Sequence, residues 1–98
     1  MTHYVAIVED GGTDHATGIW FPDLPGCFSG GDTLDEAMAH APEALQLYIE
    51  AMMQDGKPVP APRHISEIKA DPEWADDVAQ YMVALIPAPL VTFRPAAE

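Results

Sequence analysis

The sequence predicts an α+β fold: an antiparallel-dominated sheet of about four strands, in the order β-β-β-α-β, with one long helix packed on a face. Two alternating, β-rich runs, "HYVAIVED" and "HATGIWF", are separated by the turn signal "GGTD". A long amphipathic segment from Thr33 to Gly56 follows, and the apolar run "AQYMVALIPAPLV" comes late in the chain.

In the first strand, His3 to Asp10, Tyr4, Ala6 and Val8 share one face and Val5 and Ile7 the other, so both faces are expected to be buried. The returning strand runs from His15 to Phe21 and stops at Pro22. A short third strand is expected at Cys27 to Ser29. In "FPDLPGCFSGGDTLDEA", Pro25-Gly26 fits the central positions of a type II turn, and Gly30 and Gly31 allow positive φ before the helix.

Thr33 and Glu36 form a capping box at the helix start, with Asp32 adding negative charge at the positive end of the dipole. Leu34, Met38, Ala41, Leu45, Tyr48 or Ile49, and Met52 make the core stripe, and Gly56 ends the helix. Pro42 deletes one backbone hydrogen bond at a cost of about 3 kcal/mol, yet the stripe stays in register across it, which predicts one bent helix. An extended connector with three prolines, Asp55 to His64, leads to a short helix with Asp71 as N-cap and Pro72 at its first position. The last strand is placed from Gln80 to Ile86, with a loosely held tail from Pro87 to Glu98.

Ninety-eight residues make one small domain with a modest core, so association with another chain is an obvious source of further stability. Apolar residues at 48% and charged ones at 20% exclude wholesale disorder. Sixteen acidic against four basic residues give a formal charge of −12, which repels nucleic-acid phosphates and anionic membranes and steers a basic partner inward. A single cysteine cannot form an internal disulfide, and no segment approaches the ~20 apolar residues of a membrane span, so the cytoplasm is the expected compartment.

Three kinds of chemistry come into question at the glycine-rich stretch and its surroundings. A phosphate cradle lacks its cation, because no lysine or arginine lies between Met1 and Gln54 and Asp32 sits where phosphate would. Cys27, between Gly26 and Phe28, is expected to be a buried small hydrophobe rather than a nucleophile. His3 and His15 could face each other across the hairpin, but the four histidines lack metal-ligand spacing, so no metal, cofactor or catalytic residue is expected. The adjacent acidic pairs, such as Asp35-Glu36 and Asp76-Asp77, read as a solvated face.

The residues "YVAIVE", "FPDLPGC" with its following glycines, "GDTLDEA" and the exit "DGKPVPAP" stand in the order and spacing of one known family. From Tyr4 to Pro62 the chain resembles the amino-terminal domain of HicB-type antitoxins, and Ile65 to Val91 is similar to that family's short helix and final strand. The resemblance implies a partial RNase H-like fold without the nuclease site, over residues 1–86. It implies a cytoplasmic antitoxin whose partner is a small basic HicA-type mRNA interferase, covered so that RNA cannot enter. It also implies a homo-oligomer, a dimer or tetramer. Many members continue into a carboxy-terminal DNA-binding domain, which is expected to be absent here, so no direct contact with nucleic acid is expected. Pro42 is a second departure.

For toxin contact the candidates are the helix flank Glu36, His40, Glu43 and Glu50, with Asp23 and Asp32 near the loop. Pro22, Pro25, Gly26 and Gly31 are assigned to the turn itself. The alternatives from other classes are a self-assembling acidic scaffold without a toxin, and a small hydrolase using Cys27.

Overall fold

The structure, a computed structural model, describes residues 3–88. Strands β1 (His3–Glu9), β2 (Thr17–Trp20), β3 (Phe28–Gly31) and β4 (Met82–Pro87) form one antiparallel sheet of order β3-β2-β1-β4. The long helix α1 (Leu34–Gln54) follows β3, and two short helices, α2 (Ile65–Ala70) and α3 (Ala75–Gln80), precede β4. The α+β class, the strand count and the chain order agree with the sequence.

Register explains the two-sided burial of β1. Tyr4, Ala6 and Val8 lie opposite Ile86, Ala84 and Met82, and Val8 also opposes Ile19. With Ala37, Ala41, Leu45 and Ile49 of α1 most of these residues make the main core. Val5 and Ile7 point to the other face and are buried there too. On that side the ring of Trp20 meets Tyr81 edge-on at 5.5 Å, which anchors the end of α3 to β2.

The turn between β2 and β3 consists of two consecutive reversals. Leu24 N–H donates to Phe21 O at 3.1 Å across Pro22-Asp23, and Cys27 N–H donates to Leu24 O at 3.0 Å across Pro25-Gly26. Gly26 has φ 94°, the left-handed value that the third position of a type II turn requires. Tyr48 of α1 fastens this turn by donating its hydroxyl to Pro25 O.

Gly30 and Gly31 do not use the positive φ open to them, which among the described glycines occurs at Gly12, Gly26 and Gly56. Their role is spatial. A Cβ on Gly31 would stand 2.6 Å from Glu36 Cβ and 2.7 Å from Ala37 N, so the bare backbone lets the first turn of α1 lie directly on β3.

Thr33 is the N-cap of α1, and its hydroxyl accepts from Glu36 N–H at 3.1 Å. The return half of the box falls one residue earlier than expected, with Glu36 Oε2 accepting from Asp32 N–H at 3.1 Å. The helix runs unbroken through Pro42. It ends in a Schellman motif, with Lys57 N–H on Met52 O at 2.9 Å, Gly56 N–H on Met53 O at 3.1 Å, and Gly56 at φ 72°.

Past the connector three boundaries move. His64 caps a first short helix, in a capping box with Glu67, and Asp71, expected to cap a helix from Pro72, is the C-cap of this one while Trp74 is the N-cap of the next. Asp71 ends α2 and starts the following turn, its Oδ1 accepting from Glu73 N–H at 2.9 Å, and α3 begins only at Ala75. The helical stretch therefore divides in two, and Gln80, expected in the last strand, belongs to α3. That strand extends one residue further than expected, since Pro87 pairs with His3. Of the expected tail, residues 89–98 lie outside the described residues. The same pairing places His3 at the end of β1 away from the hairpin loop, so it does not face His15.

Candidate functional site: the outer face of the long helix

Four of the six candidate contact residues lie on one side of α1. At about 100° per residue, Glu36, His40, Glu43 and Glu50 fall within an arc of roughly 80°. The opposite side carries the buried Ala37, Ala41, Leu45 and Ile49, so core packing sets the orientation of the arc toward solvent. Glu36, His40 and Glu43 are exposed and Glu50 is half-buried. Leu47 falls in the same arc and is 60% exposed. The polarity pattern alone did not single it out, although its place four residues after Glu43 and three before Glu50 was visible.

Two of these side chains are already oriented. His40 Nδ1 lies 3.0 Å from Gly30 O, and because a carbonyl only accepts, Nδ1 carries the proton and docks the ring onto β3. Glu50 Oε1 accepts from Gln46 Nε2 at 3.3 Å, one turn back on the helix. Asp32 is exposed at the head of α1, with its N–H held by Glu36.

Asp23 is placed differently from the other five. Its side chain is 5% exposed, and its carboxylate accepts from Arg63 N–H at 2.7 Å and from Arg63 Nε at 2.6 Å. Its charge is thus neutralised inside the fold, joining the Pro22 turn to the connector. Arg63 Nη1 also reaches Asp71 Oδ2 at 3.0 Å. The Arg63 guanidinium is held above its ordinary value by its hydrogen bond to Asp23 and then by that to Asp71. Asp71 is held below the usual carboxylate range by the Glu73 N–H first and the Arg63 contact second.

Cys27 is 2% exposed, and its Sγ stands 4.0 Å from Ala44 O. Burial pushes the thiol up to about 11, away from the thiolate form that a nucleophile needs. No group of three or more His, Cys, Asp or Glu that could hold a metal occurs among the described residues. A shallow pocket of about 370 Å³ opens between β1, β4 and the start of α2, lined by His3, Val5, Arg63, Ile65 and Leu85 among others. Its guanidinium is already committed to two carboxylates. No helix among the described residues is long and apolar enough to cross a membrane.

These elements place a four-stranded antiparallel sheet behind one long helix whose outer face is acidic. The chain belongs to the HicB-like antitoxin family of bacterial toxin–antitoxin systems, whose sequence model matches residues 4–94. A 14.9 kDa protein from the rep-hol intergenic region of Haemophilus phage HP1 is 47% identical over 55 residues, which are 56% of this chain and 41% of that protein. The crystal structure of the Burkholderia pseudomallei antitoxin HicB superposes with a TM-score of 0.71 at 27% identity, over 92% of this chain and 65% of the other. In a HicA3–HicB3 toxin–antitoxin complex, one chain matches with a TM-score of 0.67 at 26% identity, over 88% of this chain and 96% of that one. This chain therefore spans less than two thirds of the phage protein and of the Burkholderia antitoxin.

Proposed function

We propose that the chain is an antitoxin that neutralises a small basic HicA-type mRNA interferase by covering its RNA-binding and catalytic surface. It acts in the cytoplasm, as a homo-oligomer, without catalysis and without touching nucleic acid through these residues. The observation that carries the reading is the acidic arc Glu36, Glu43 and Glu50 around the exposed Leu47 on a helix locked to the sheet behind it. Carboxylates there take the ground that RNA phosphates occupy on a cationic toxin, and Leu47 supplies apolar area at the centre of the patch. The family membership and the likeness to a chain of the HicA3–HicB3 toxin–antitoxin complex support the same role. Asp32 extends the acidic ground at the helix head, whereas Asp23 contributes by holding the loop in shape.

The test is capture of the basic protein encoded beside the gene. Replacing Glu36, Glu43 and Glu50 together with lysine slows association about 10- to 100-fold at low salt, and added salt shrinks the difference. Association that is unchanged at low salt removes this surface from the reading.

A further inference from the structure

We infer that the face of the sheet turned away from α1 carries a subsite for an arginine side chain of a basic partner protein, formed over Gly18 between the rings of Trp20 and Phe28 and the carboxylate of Glu9. This rests on strand register and on open space above the sheet, and it stands apart from the reading of the α1 arc.

Register builds the subsite. Gly18 pairs with Glu9 on one side and Gly30 on the other, and Trp20 pairs with Ile7 and Phe28. Alternation along the strands puts these residues on the face opposite the main core, in two rows about 7 Å apart. Val8 and Ile19, which lie between the rows, point the other way into that core. Tyr81 closes one side, its ring edge-on to Trp20 at 5.5 Å.

The row of glycines is left open. A Cβ added at Gly18 would have nothing within 4 Å, and one at Gly30 would meet only a backbone atom, Thr17 O at 3.1 Å. Beside this bare floor Phe28 is 68% exposed, more than any other large apolar side chain among the described residues.

Charge and shape select the occupant. Glu9 is exposed and is the diagonal neighbour of Trp20 across the paired strands, within reach of a group lying on Gly18. No lysine or arginine occurs in the four strands or in α1, so these elements supply no cation to that carboxylate. Exposed rings also stack on nucleobases, but a formal charge of −12 repels the phosphates that come with them. A guanidinium is drawn by the same field, lies flat on an aromatic face and donates to a carboxylate from its edge. An ammonium gains the charge and loses the stacking. The floor opens at the β3 edge, where Gly30 is exposed, so the side chain enters from a polypeptide lying beside the sheet.

Titration of the full chain with a blocked glycine-arginine-glycine tripeptide tests this, followed by NMR at the indole N–H of Trp20, which Trp74→Phe assigns. The expected result is a saturable shift with a low-millimolar dissociation constant, about threefold or more weaker with lysine in place of arginine, and no shift with citrulline. Arginine amide alone binds more weakly than the tripeptide, because it lacks the flanking backbone. Phe28→Ala and Glu9→Gln each raise the constant about threefold or more. Gly18→Val fills the floor where there is room for a side chain, and removes the shift while circular dichroism shows the fold intact. Glu43→Gln on α1 changes nothing, and the tripeptide still binds when the basic protein encoded beside the gene is bound. A shift that does not saturate, citrulline equal to arginine, or indifference to Glu9→Gln or Gly18→Val overturns the subsite. Arginine amide equal to the tripeptide overturns the protein source, and displacement by the neighbouring basic protein or a loss with Glu43→Gln overturns its independence from α1.

Discussion

Asp23 and Arg63, forty positions apart, are joined twice: Oδ2 accepts from the Arg63 backbone N–H at 2.7 Å and Oδ1 from its Nε at 2.6 Å. Arg63 Nη1 then reaches Asp71, so one guanidinium ties together the Pro22 turn, the proline-rich connector and the start of the segment leading to α3. The contacts to Asp23 and to Asp71 differ in worth, because the Asp23 side chain is 5% exposed and that of Asp71 27%. Asp23→Ala removes both acceptors and leaves the part-buried Arg63 N–H without this partner, for an expected loss of about 1–3 kcal/mol. Asp71→Ala costs less. Urea titration checks both, and equal losses would mean that burial does not set the ranking.

Gly31 lies under the first turn of α1 with no room for a methyl group. Gly31→Ala must displace the backbone at Ala37, an expected cost of about 1–3 kcal/mol. Gly18, in the neighbouring strand, would have nothing within 4 Å of an added Cβ, so Gly18→Ala is neutral or slightly stabilising. Thermal melts of the two variants separate a steric role for Gly31 from a general intolerance of the sheet.

The pH dependence follows from Cys27. Its folded-state value, raised by burial to about 11, exceeds that of an ordinary thiol, 9.0, so above pH 9 the unfolded chain loses its proton first. The folded state then binds more protons, and stability present below pH 9 is lost as the pH rises toward 11. The Tyr4 phenol, pushed far above its usual value by burial and by the Asp23 charge, adds a loss of the same sign beginning above pH 10. Cys27→Ser should flatten the curve between pH 9 and 10 and leave the steeper fall above it. Alkylation of the wild-type thiol at pH 8 should proceed only as fast as the fold opens.

What could be read from the sequence was local or periodic. The α1 stripe, the Thr33 cap and the Pro25-Gly26 turn depend on spacings of at most a few residues. Asp23 was misplaced among the surface acids because its partner is forty residues away. The same distance limit hid the part played by Gly31, whose need for space arises only once α1 lies across β3. Asp71-Pro72 carried a true turn signal, but the tie of Asp71 to Arg63 and the contact of Tyr81 with Trp20 join residues far apart in the sequence and could not be read from spacing. The acidic arc was visible from helical spacing, whereas Leu47, apolar and exposed, is the kind of residue that such spacing assigns to the core.

Pro42 offers the last prediction. It sits beside the fully buried Ala41 and three residues before Leu45, deep inside α1, and yet the helix continues through it for twelve more residues. Met38 O loses its usual helical donor there, and the proline ring crowds the preceding turn. If the sheet needs only the apolar stripe, Pro42→Ala restores the bond and improves propensity, raising stability by about 1–3 kcal/mol. If the proline sets a bend that lets Ala37 and Ile49 reach the same core, straightening the helix pulls one end away, and the variant is less stable. The first outcome is expected because the buried residues on both sides of Pro42, Ala37, Ala41, Leu45 and Ile49, recur at an unbroken spacing of four. A urea midpoint higher than that of the wild type, at unchanged slope, confirms it, and a lower midpoint assigns Pro42 a shaping role.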